Sequence, residues 1–68
     1  MSTVMAHIGK KLKDKRIRAG LTQQELADKT GMTQTTIARI ETDRVEPAVR
    51  SLRKLSDALG VTISDLLD

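Results

Sequence analysis

With 68 residues the chain has room for one domain, and at that length a buried core leaves little stability to spare. Its 38% hydrophobic residues include no Phe, Trp or Tyr, so the core must come from Leu, Ile, Val, Met and Ala; the absence of cysteine excludes disulfides and thiolate metal sites, and His7 assembles no metal cluster alone. The net charge of +3 is unevenly placed, because residues 1–18 carry Lys10, Lys11, Lys13, Lys15, Arg16 and Arg18 against Asp14 alone, which makes that stretch either a phosphate-facing surface or a solvated helix face.

The first predicted helix covers residues 4–19, where a 3.6-residue period puts Met5, Ile8, Leu12 and Ala19 on one side. Ile17 falls opposite that stripe and is expected to be partly exposed. The helix runs into Gly20-Leu21-Thr22, the first of three Gly-apolar-Thr joints; Gly31-Met32-Thr33 and Gly60-Val61-Thr62 follow. At each, glycine admits the left-handed conformation that closes a helix, and the threonine caps the next one. Glu25 and Asp65 complete capping boxes for Thr22 and Thr62, whereas Thr33 has Thr36 at that position. Hydrophobic staples pair Leu21 with Leu26, Met32 with Ile37, and Val61 with Leu66.

The joints set further helices at 23–30, 34–42, 47–59 and 63–67. Pro47 is expected at a first helical position, after the one longer connection, Thr42 to Glu46. Periodicity along the fourth helix aligns Val49, Leu52, Leu55, Ala58 and Leu59 toward a core shared with the first. The expected fold is therefore an all-α, compact five-helix bundle occupying residues 1–68 as one domain. No stretch approaches the roughly 20 apolar residues of a membrane span, so no membrane association is expected and the cytoplasm is the expected compartment.

Residues 23–42 carry the functional reading. Two helices that cross steeply over a very short turn need a small residue at their contact, a glycine in the turn and branched apolar residues on the second helix. Ala27, Gly31, Ile37 and Ile40 fill those places, which points to a helix-turn-helix and to double-stranded DNA as partner.

The sequence resembles the lambdoid phage repressor and Cro (XRE-like) helix-turn-helix family over residues 8–67. The matching segments are Ile8-Gly9, Leu12-Lys13-Asp14-Lys15-Arg16, Gly20 to Ala27, Gly31-Met32-Thr33-Gln34, Ile37 to Glu41, and Leu52 to Leu67. Two places depart from the common pattern. Lys15 stands where many members have an apolar residue, and Thr42-Asp43 stands where Asn-Gly is commoner. The resemblance implies a lambda repressor-like DNA-binding domain of a prokaryotic or phage transcriptional regulator, a repressor in the first reading, nucleoid-associated and free of cofactors.

Projected on a helix, residues 33–41 place Ile37 and Ile40 on one side, flanked by Thr36 and Glu41, with Gln34, Thr35, Ala38 and Arg39 on the opposite arc. These four are the candidate base-reading residues: Gln34 pairs with adenine through donor and acceptor, and Arg39 donates twice to guanine or reaches a phosphate. For Thr35 the simpler reading is a solvated residue. The resemblance implies that Gln23 touches a phosphate and supports Gln34, and that Arg16 pairs with Glu41 to clamp the first helix to the recognition helix. Thr22, Thr33 and Thr36 are candidate phosphate contacts near helix starts, where free N–H groups and the dipole favour anions, although capping alone also explains the threonines. Thr42 and Arg44 are candidates in the following loop, with pairing to Asp43 or Glu46 as the other reading of Arg44.

A small domain reading a few base pairs is expected to act as a homodimer on a palindromic operator, with Val61, Ile63, Leu66 and Leu67 as interface candidates, although ordinary core packing is the simpler reading of any one of them. The alternative from another class is an antitoxin that binds both DNA and a toxin protein. An enzyme is not expected, since one His and no Cys offer little for a positioned base or nucleophile.

Overall fold

The computed structural model describes residues 8–67, which form α1 (Ile8–Arg18), α2 (Gln23–Thr30), α3 (Gln34–Glu41), α4 (Val49–Leu59) and α5 (Ile63–Leu67). The expected start of the first helix at residue 4, Met5 in its stripe and His7 lie outside the described residues. No strand occurs among the described residues, and none of their helices is long and apolar enough to cross a membrane.

The core draws on every helix: Ile8 and Leu12 from α1, Leu26 and Ala27 from α2, Ile37 and Ile40 from α3, Leu52 and Leu55 from α4, and Leu66 from α5. Leu21, Met32, Val61, Ile63 and Leu67 pack around it half-buried, so the apolar residue of each joint closes the seam beside the helix it introduces. Two hydroxyls that enter the interior are satisfied within their own helices. The Thr30 hydroxyl donates to the carbonyls of Leu26 (2.9 Å) and Ala27 (3.1 Å), and the Ser56 hydroxyl to that of Arg53 (3.0 Å).

All three joints form as their chemistry dictates. Thr22 and Glu25 exchange hydrogen bonds, the Thr22 N–H donating to Glu25 Oε1 at 2.8 Å and the Glu25 N–H to Thr22 Oγ1 at 3.0 Å. Thr62 and Asp65 do the same at 2.9 and 3.1 Å, and the Thr36 N–H donates to Thr33 Oγ1 at 3.1 Å. The Thr62 backbone N–H, then its hydroxyl, and more weakly the charges of Lys15 and Lys11 hold the Asp65 carboxyl below its ordinary range. Between α2 and α3, Gly31 takes φ 74° and the Met32 N–H closes on the Ala27 carbonyl at 3.1 Å.

Four expectations are corrected. Ala19 lies exposed in the turn beyond α1, where its N–H and that of Leu21 bond back to carbonyls of the last turn, so the chain has left the helix before Ala19 can face the core. Thr42 caps α3 instead of extending it. Pro47 is buried but precedes the cap, Ala48, whose extended backbone carries no side-chain hydrogen bond, so packing sets this helix start. Val49 is 70% exposed although it shares the phase of buried Ser56: as the first helical residue it leans back toward the amino end, a turn beyond the core.

Gly9 explains how α1 and the end of α3 come so close. A Cβ there would stand 2.5 Å from the Ile40 carbonyl oxygen and 2.8 Å from that of Glu41. Asp43 takes φ 59°, the left-handed region where glycine is the default residue, and its carboxylate accepts the Gly9 N–H at 3.2 Å. The carboxylate thus anchors the loop to α1, a contact that a glycine at position 43 would not provide.

Candidate nucleic-acid interface

Helix α3 is anchored from behind by Ile37 and Ile40, 0% and 1% exposed, which occupy the core next to α1 and α2. On the other side Gln34, Thr35 and Arg39 are exposed and Ala38 is half-buried, which leaves a shallow strip at the centre of the face. A carboxamide, a hydroxyl, a methyl and a guanidinium therefore point away from the interior on one rigid helix. That set can enter a major groove and meet base edges.

Behind this strip runs a hydrogen-bonded chain across three helices. Arg16 Nε donates to Glu41 Oε2 at 2.7 Å and Arg16 Nη2 to Glu41 Oε1 at 3.1 Å, while Nη1 reaches the Leu21 carbonyl at 2.8 Å. The pair joins α1 to α3, its side chains 11% and 2% exposed. The hydrogen bonds Arg16 donates to Glu41, opposed by burial and aided by the carboxylate's charge, raise the Arg16 pKa further above its usual value. Glu41 Oε1 also accepts Gln23 Nε2 at 3.1 Å, and Gln23 Oε1 accepts Gln34 Nε2 at 3.1 Å. Arg16, Glu41, Gln23 and Gln34 are thus one connected unit. The bond between Glu41 and Gln23 joins the ends of two different helices, and periodicity along either one carries no signal for it.

The remaining candidates differ in what they have free. Thr22 Oγ1 accepts the capping N–H of Glu25 and Thr36 Oγ1 accepts the hydroxyl of Thr33, which leaves the hydroxyl hydrogen of Thr22 and of Thr36 available. Thr33 donates its hydroxyl to Thr36 Oγ1 at 2.9 Å, and Thr42 donates back to the Ala38 carbonyl at 2.9 Å, so either must rotate before it can donate to a phosphate. Among the described residues the ion pairs are Arg16–Glu41 and Arg18–Asp14, so Arg44 pairs with neither Asp43 nor Glu46, and exposed Arg39 is also without one. The basic stretch of α1 is divided in its uses. Arg16 is internal, Arg18 pairs with Asp14, and Lys11 and Lys15 act on the Asp65 carboxyl of α5. Toward the carboxyl end Leu66 is 0% exposed and belongs to the core, which removes it from the interface candidates; Val61, Ile63 and Leu67 are half-buried.

Comparison with known proteins places this arrangement. The family described as Helix-turn-helix matches residues 12–66. The HTH-type transcriptional regulator PuuR of Escherichia coli (strain K12) is 39% identical over 57 residues, covering 84% of this chain and 31% of that protein. The immunity repressor protein of Bacillus phage phi105 is 33% identical over 60 residues, 88% of this chain and 42% of its own length. The chain therefore spans less than half the length of these two relatives. Among solved structures, the clp gene regulator ClgR from C. glutamicum superposes with a TM-score of 0.87 at 25% identity, covering 98% of this chain and 87% of that one. The restriction-modification controller protein C.AhdI from Aeromonas hydrophila shares the fold, with a TM-score of 0.86 at 24% identity over 91% of this chain and 94% of its own.

Proposed function

The chain belongs to the helix-turn-helix family of DNA-binding transcriptional regulators, of the lambdoid repressor and Cro type, and on that premise we propose that it is a repressor whose α3 reads an operator in the major groove. The observation that carries this reading is the outward placement of Gln34 and Arg39 on a helix held from behind by two fully buried isoleucines. Gln34 reads adenine, Arg39 reads guanine or holds a phosphate, Ala38 permits close approach and Thr35 lies at the edge of the contact. Thr22, Gln23, Thr36 and Arg44 hold the backbone on either side, joined by Thr33 and Thr42 once their hydroxyls rotate. The protein acts as a homodimer on a palindromic site, because one helix specifies too few base pairs for tight binding.

Selection of binding sites from random duplexes tests this. The expected result is a palindrome whose half-sites each lose one base-pair preference in Gln34→Ala, at a cost of about 1–3 kcal/mol for that pair. A non-palindromic product, or preferences that survive both Gln34→Ala and Arg39→Ala, overturns it.

A further inference from the structure

Two amides in series, Gln23 and Gln34, have no inherent direction, because each can turn either its oxygen or its nitrogen toward the other. Glu41 removes that freedom. A carboxylate only accepts hydrogen bonds, and Glu41 Oε1 faces Gln23 at 3.1 Å, so Gln23 must turn its NH2 toward Glu41 and its oxygen toward Gln34. Gln34 then has to donate, as it does through Nε2 at 3.1 Å, which leaves its oxygen on the side away from Gln23. Arg16 completes the lock by filling both carboxylate oxygens, at 2.7 and 3.1 Å, so Glu41 cannot rotate away.

We infer that Glu41 is a specificity-determining positioning residue, which sets through Gln23 the order in which Gln34 presents donor and acceptor to a base pair. The inference rests on Gln34 as a base reader. In the major groove adenine offers N7 as acceptor beside N6 as donor, and exchanging A·T for T·A reverses their order across the groove, from one strand to the other. With Nε2 on the Gln23 side and Oε1 beyond it, Gln34 matches one order and sets donor against donor in the other. Direction in the amide chain becomes direction in the operator.

The test compares four duplexes that differ only at the pair whose preference Gln34→Ala removes, with full-chain wild type, Glu41→Gln and Gln23→Leu. In Glu41→Gln one acceptor oxygen replaces two, so the new NH2 must stand either against Arg16 Nε or on the side shared by Arg16 Nη2 and Gln23, and the fixed order of the amide chain is lost. The preference for the original pair is expected to fall about tenfold, within the range one bidentate contact supplies, while preferences at the other positions stay as they were. Gln23→Leu cuts the chain but spares the Arg16–Glu41 pair, and is expected to lose the same preference alongside a uniform loss of affinity from its phosphate contact. If Glu41→Gln does not fold, Gln23→Leu decides alone. Retention of the wild-type preference in the folded variants overturns the inference and leaves base reading by Gln34 standing; no change in preference on Gln34→Ala overturns both.

Discussion

Arg16 shows how much one side chain holds in a domain this small. Its partner carboxylate has 2% of its side chain exposed, and removing the guanidinium leaves that charge with only the Gln23 amide. Arg16→Ala is expected to cost about 3 kcal/mol, since breaking a buried pair strands one ion in a poorly solvated place. Chemical denaturation reads this directly, and unchanged stability with lost DNA binding contradicts a clamp. At this scale the sequence is informative only in part. That Arg16 belongs with Glu41 follows from a family resemblance, but that Glu41 accepts Gln23 as well depends on where three helices bring their ends, which spacing along one helix does not contain.

The helices themselves divide by what starts them. Those beginning with a threonine cap, α2, α3 and α5, start at the residues their sequence predicts, because the capping bonds lie within four residues of chain. The start of α4 was not legible, since Ala48 offers no side-chain acceptor and packing decides where the turn begins. Ile8-Gly9, legible in the sequence only as part of a family pattern, is where α1 meets the end of α3. Gly9→Ala is expected to destabilise the fold by about 1–3 kcal/mol despite alanine's better helix propensity, because the new methyl would meet backbone carbonyls that cannot rotate away. A melting temperature equal to or above that of the wild type contradicts so tight a contact.

Charge acts on the whole molecule. A chain of net charge +3 with an exposed, unpaired Arg44 beside the recognition helix is expected to bind duplex DNA less tightly as salt rises. Arg44→Ala is expected to make the slope of log K against log salt shallower by about one, with similar loss on every sequence; a loss confined to one base pair assigns Arg44 to readout instead. Helix type, the joints between helices and most of the core positions follow from the sequence alone, because caps, glycine turns and a 3.6-residue period act over a few neighbouring residues. Only the tertiary structure decides that Val49 overshoots the core, that Leu66 is interior, and that Arg16, Glu41, Gln23 and Gln34 form one chain of hydrogen bonds. Those outcomes depend on distances between helices far apart in sequence, and such distances are set by how the finished surfaces pack.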